Sequence, residues 1–169
     1  VHHHDPDSNR PGRTALVVVA STRAAAGTYE DTSGPIAVEF LRAKGFDTPE
    51  ALVVPDAEIK PTMDRIFRAE TVPHVVLTSG GTGVTADDQT VEAVTPHIER
   101  ELPGIVHAFW DEGRKKTAMA VASRAVAGVR GHTFIMTLPG SPGGVKDGCT
   151  VLDDLVIPIV DLLEGNHGS

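Results

Sequence analysis

The stretch Ala15, Leu16, Val17, Val18, Val19, Ala20 is apolar at every position. A strand with one wet face alternates apolar and polar residues. A strand that does not alternate needs cover on both faces, which is the pattern of a parallel sheet sandwiched between helices. The run recurs at Val75, Val76, Leu77 and across 133–138, with a shorter version at 51–54 ended by Pro55. Between the runs, apolar residues return at helical spacing. Ile36, Ala37, Phe40 and Leu41 share one face before Gly45, with Asp31 or Thr32 as the cap, and Ile59, Met63, Ile66 and Phe67 share another. Val145, Cys149, Leu152, Val156 and Ile159 continue the spacing into a last helix that Pro158 is expected to kink. A helical stretch is also expected to end near Glu101, either capped by Thr95 with Pro96 in first position or kinked and starting at Thr90. Residues 106–123 give no readable period. The alternation predicts an α/β fold: a three-layer, doubly wound, mostly parallel sheet with right-handed crossovers. A single domain over 12–169 is expected, since a chain of 169 residues buries about two-thirds of its extended surface.

Residues 1–11, with His2, His3 and His4, read as a tag remnant and disordered leader. No apolar run approaches the ~20 residues needed to cross a bilayer and no signal-like segment opens the chain, so a cytoplasmic protein without membrane contact is expected. The formal net charge is −8, and Lys and Arg are scattered, which argues against a nucleic-acid surface. An anionic substrate would have to be met locally, by backbone N–H groups, one or two basic side chains and a divalent ion. Cys149 is the single cysteine, so it forms no internal disulfide and reads as a buried, inert thiol. His74, His97, His107, His132 and His167 show no metal-ligand spacing, and Lys115 with Lys116 reads as a solvated turn.

In parallel sheets ligands bind beyond the carboxyl ends of the strands, here 21–27, Pro55 with Asp56, 79–88 and 139–144. The sharpest of these is Thr78, Ser79, Gly80, Gly81, Thr82, Gly83, whose glycines let main-chain amides approach an anion while Ser79 and Thr82 add hydroxyls. A plain tight turn would need only one or two glycines. Gly81, Gly83 and Ala86 fit a dinucleotide fingerprint only superficially: the motif follows the wrong strand, and the later acid, Glu101, is expected in a helix. No phosphate-binding GxxxxGK[ST] loop is present. The second turn, Pro139, Gly140, Ser141, Pro142, Gly143, Gly144, offers a helix N-terminus and a hydroxyl, although a plain Pro/Gly loop reads equally well. Asp56 and Asp88 each follow a strand end. Such a pair suits a divalent ion or a polarised attacking group, although a lone Asp is more often a cap; Asp87 is the nearer rival to Asp88. Ser123 and Arg124 stand in a loop where a guanidinium could grip phosphate or carboxylate in two-point fashion, or simply be solvated.

TSGGTGVTADDQT, SRAVAGVRG and LPGSPGGVKDG, with the opening VVVASTRAAAGTYED and the VVPD strand end, together resemble the Mog and MoaB family of molybdenum-cofactor biosynthesis proteins, closest to the actinobacterial Mog type. The resemblance implies a molybdopterin-binding fold, a homotrimer, and transfer of an adenylyl group from ATP to molybdopterin with Mg²⁺. It implies catalytic and Mg²⁺-holding roles for Asp56 and Asp88. It also implies that Ser79, Gly80, Gly81, Thr82, Gly83, Ser123, Arg124, Gly140, Ser141 and Pro142 line the pterin and nucleotide pocket. A catalytically silent pterin binder is the alternative. Thr90, Val91, Glu92, Ala93 replaces the family's Thr-Pro-Glu-Ala. Val106, His107 and Trp110 occupy a stretch where a Gly-Glu pair and an Arg are usual, leaving Arg114 as the substitute.

Overall fold

The computed structural model describes residues 12–165; the leader at 1–11 and His167 lie outside them. Six strands form one sheet in the order β2-β1-β3-β6-β5-β4. β1 (Ala15–Ala20), β2 (Leu52–Val54), β3 (Val75–Ser79) and β6 (Thr133–Leu138) are mutually parallel neighbours. β5 (Ala127–Arg130) runs against β6, and the two-residue edge strand β4 (Arg100–Glu101) runs against β5.

The unbroken apolar strands are explained by two separate cores. Val17 and Val19 of β1, Val75 and Leu77 of β3 and Phe134 and Met136 of β6 face one way. They pack against α2 (Gly34–Ala43), α5 (Pro103–Arg114), α6 (Pro142–Leu152) and α7 (Val156–Leu163). Val18, Val76 and Ile135, the intervening residues, face α3 (Ile59–Arg68) and α4 (Thr90–Val94). Each strand residue thus buries its side chain on one face or the other, which is the three-layer arrangement.

Local signals set the helix ends. Asp31 Oδ1 accepts from the amides of Ser33 and Gly34 at 3.1 Å each, so Asp31 does cap α2, from two residues before the N-cap position. Gly45 leaves the helix at φ +93°, a left-handed conformation that an L side chain resists. Two expectations are corrected. Glu101 lies in β4 and not in a helix, because α4 ends at Val94 and Pro96 sits in a 3-10 turn over Thr95–His97. The final apolar stretch is two helices, broken between Leu152 and Val156, and Pro158 sits in the first turn of α7, where its missing N–H costs nothing. Lys115 and Lys116 do form an exposed turn, from which Lys116 Nζ reaches to 2.5 Å from Oδ1 of Asp147, a carboxylate whose side chain is only 8% exposed.

The period-free region 106–123 contains most of α5 and a 3-10 turn over Ala118–Ala122. Gly128, absorbed into β5, leaves room for the neighbouring edge, since an added Cβ would meet Arg100 O at 2.5 Å.

Candidate functional site

The carboxyl ends of β1, β2, β3 and β6 open into one cleft of about 960 Å³, near the upper end of the range for small-molecule sites. Its floor is the glycine turn after β3. Gly80 N donates to Leu138 O at 3.0 Å, and Ser79 Oγ donates to Pro139 O at 3.0 Å, which ties this turn to the one after β6. The two turns are so close that a Cβ on Gly140 would stand 3.5 Å from Gly80 Cα. Gly80 and Gly81 have φ +92° and +75°, and a Cβ on Gly81 would reach 2.0 Å from Thr90 Oγ1. Glycine is required twice over there, by conformation and by space.

The second turn ends at the N-terminus of α6. Ser141 Oγ accepts the Gly144 amide at 3.1 Å, and Ser33 Oγ, from the start of α2, donates to Gly140 O at 2.7 Å. On the β2 side, Thr22 Oγ1 donates to Asp56 Oδ2 at 3.2 Å and accepts the Asp56 amide at 3.0 Å, so α1 (Thr22–Ala25) fixes that carboxylate. On the other side Asp88 Oδ2 accepts from Thr85 N at 3.0 Å and Thr85 Oγ1 at 2.8 Å. Partial burial pushes the Asp88 carboxyl up. Hydrogen bonds from Thr85 and the Gly83 amide, with the charge of Arg124, outweigh it and hold the acid below its usual range.

Ser79, Gly80, Gly81, Thr82, Gly83, Asp56, Asp88, Ser123, Gly140 and Ser141 all line this cleft. Asp87, the rival to Asp88, lines it too. Pro142 and Arg124 do not. Pro142 is the first residue of α6, directly behind Ser141. Arg124 turns to the back of the 79–88 loop: Nε donates to Gly83 O at 2.6 Å, Nη2 to Asp88 O at 3.1 Å, and Nη1 meets Glu92 Oε2 at 2.6 Å. It is a clamp on three acceptors. Ser123 completes the wall, with its Oγ donating to Thr82 Oγ1 at 3.2 Å while Trp110 Nε1 donates to its carbonyl at 2.9 Å. Trp110, from the divergent stretch, thereby supports the cleft from outside. Arg114 is exposed and lies 3.9 Å from Asp111.

Residues 16–161 match the sequence family described as "Probable molybdopterin binding domain". The chain belongs to this family. It is 39% identical to the molybdopterin biosynthesis Mog protein of Mycobacterium ulcerans, whose solved structure superposes with a TM-score of 0.83 over 92% of this chain and 99% of that one. It is 32% identical over 149 residues to a molybdopterin adenylyltransferase of Pyrococcus furiosus, covering 85% of this chain and 87% of that protein. It is also 35% identical over 156 residues, 91% of its own length, to a molybdenum cofactor biosynthesis bifunctional protein of Chlorobaculum tepidum. The chain spans about half of that larger relative, 49% of its length. The protein is therefore a MoaB/Mog-like protein of molybdenum-cofactor biosynthesis. Among the described residues, no helix is long and apolar enough to cross a membrane.

Thr22 and Arg23, within the expected 21–27 segment, and Val84, within 79–88, also line the cleft, as do Tyr29, Ser33 and Met119, which fall outside the expected strand-end segments. The position of Thr22 and Arg23 just beyond β1 was a usable signal. Met119 lay in the stretch without a period.

Proposed function

We propose that the protein transfers the adenylyl group of ATP to molybdopterin, releasing pyrophosphate. What supports the reading is one relationship: Asp56 and Asp88 border a cleft whose floor is two amide-rich turns. In the reaction a terminal phosphate oxygen of molybdopterin forms a bond to the α-phosphorus of ATP while the bond from that phosphorus to the β-bridging oxygen breaks. Both partners are anions. The protein's work is to hold them together and to neutralise charge that grows on the leaving pyrophosphate.

The amides of the 79–83 and 140–144 turns suit phosphoryl oxygens, with Ser79, Thr82 and Ser141 as hydroxyl donors. Arg124 acts indirectly, by keeping the carbonyls of Gly83 and Asp88 turned away from the ligand side. Among the described residues, no group of three or more His, Cys, Asp or Glu side chains gathers to hold a metal alone. Mg²⁺ commonly binds through one or two carboxylates plus substrate phosphates, and Asp56 with the ionised Asp88 fits an ion that arrives with the nucleotide. Bound there, it would supply charge neutralisation at the phosphates. Assembly as a homotrimer in the cytoplasm belongs to the same reading.

The deciding experiment incubates the protein with Mg²⁺, ATP and molybdopterin and separates the products by chromatography. Adenylylated pterin and pyrophosphate in equal amounts are expected. Tight pterin binding with no product would establish the silent binder in place of the enzyme.

A further inference from the structure

Six large hydrophobic side chains among the described residues are exposed: Tyr29, Leu52, Val84, Met119, Val121 and Leu162. Three of them, Tyr29 at 48%, Val84 at 74% and Met119 at 70% exposure, line the cleft whose floor is the two amide-rich turns. They come from three unconnected segments: the loop after α1, the 79–88 loop and the 3-10 turn before Ser123. Apolar groups left in water by three separate segments around one amide-rich floor mark a place where a ligand covers them.

One member of the rim has a more specific chemistry. The guanidinium of Arg23 lies over the Tyr29 ring at 4.7 Å from its centroid, and both side chains border the cleft. The cation and the phenol ring together form a positively charged, solvent-exposed aromatic platform. It is carried on the same connection as Thr22, which grips Asp56. A group bound on this platform is therefore tethered to the Asp56 side of the phosphate floor. Aromatic rings and guanidinium planes are the surfaces on which proteins stack bases.

We infer that Tyr29, held by Arg23, is the stacking platform for the purine of the nucleotide substrate, with the exposed apolar side chains of Val84 and Met119 forming the rest of the lip that its binding covers. The inference rests on the adenylyltransferase reading and adds to it the element that grips the base. It also makes Tyr29 a binding residue, with no part in the bond-making step.

The test is calorimetric titration of the full chain with ATP, with inorganic triphosphate and with molybdopterin, in magnesium buffer, for the unaltered protein, Tyr29→Ala and Tyr29→Trp. Tyr29→Ala is expected to weaken ATP about ten-fold, in the range found when a stacked aromatic is removed, while inorganic triphosphate and molybdopterin bind as before. Tyr29→Trp retains ATP binding, which separates lost stacking from lost folding. Equal ATP affinity in Tyr29→Ala and the unaltered chain overturns the platform and leaves the proposed reaction standing. Loss of molybdopterin binding with ATP unchanged also overturns it, by giving the platform to the pterin. Absence of ATP binding by the unaltered chain overturns both the platform and the reaction.

Discussion

Arg124 holds the carbonyl of Gly83 at 2.6 Å through Nε, so a basic side chain that a phosphate site would be expected to aim at its ligand is spent on the loop itself. Its remaining nitrogens reach Asp88 O and the carboxylate of Glu92. Arg124→Met should therefore leave the chain folded but loosen residues 79–88, raising KM for both substrates by more than it lowers kcat. Arg124→Lys should rescue little, because a point charge cannot satisfy three acceptors set in a fork. Steady-state kinetics of the two variants check this, and a fall confined to kcat would place the guanidinium at the reacting phosphate.

Asp56→Asn and Asp88→Asn should leave the chain folded while cutting turnover on the order of a hundredfold, the scale at which one electrostatic contact to a transition state is lost. Product chromatography measures it. Full activity in both would remove the carboxylates from the reaction.

The Asp88 carboxyl is held below its ordinary value of 3.8. A depressed carboxyl stabilises the folded chain wherever it is ionised in both states, above the ordinary value, and the contribution is lost as pH falls through the lower folded value. The difference in urea stability between the parent and Asp88→Asn should thus be flat from pH 7 to about pH 5 and shrink below pH 4. A difference that grew on acidification would contradict the hydrogen bonds from Thr85.

Gly81→Ala should cost more than about 1 kcal/mol, since the residue combines φ +75° with a Cβ position 2.0 Å from Thr90 Oγ1. Gly12→Ala, where nothing lies within 4 Å and φ is not positive, is the control. Chemical denaturation of both variants measures the contrast.

Lys116→Met leaves the Asp147 carboxylate buried without the ammonium that faces it and should lower the thermal midpoint by several degrees. Combining it with Asp147→Leu should recover most of the loss, because an apolar pair of similar size has no charge to desolvate. A double variant no better than the single one would mean that the bridge adds stability of its own.

The parts of the fold that could be read in advance were those in which one physical demand dominates. An unbroken apolar strand such as 133–138 has to be covered twice, and Gly45 has to end a helix. The missed elements are those in which tertiary packing overrides local preference. β4 is two exposed residues, Arg100 and Glu101, and is a strand only because β5 lies beside it. α5 opens with Pro103 and Gly104, and its period is blurred by His107, Ala108 and Gly113. At the cleft, Asp56, Asp88 and both glycine turns were legible because their residue types are chemically committed. Arg124 was legible as a binder of oxygen, but its choice of Gly83 O, Asp88 O and Glu92 depends on the path of a loop that no local pattern encodes.

Cys149, half-buried in α6, has its thiol pushed up to about 11 by burial, with a further push from Asp153. This agrees with an inert side chain.

The reversed direction of β5 has a topological effect. Its first residue enters the sheet at the pole where β6 finishes, which delivers Ser123 to the wall; the reversal then sends the hairpin tip at Gly131 to the opposite pole. A reporter peptide or affinity handle spliced between Gly131 and His132 would sit a full strand length from the cleft, so the chain carries a natural grafting point on the opposite side.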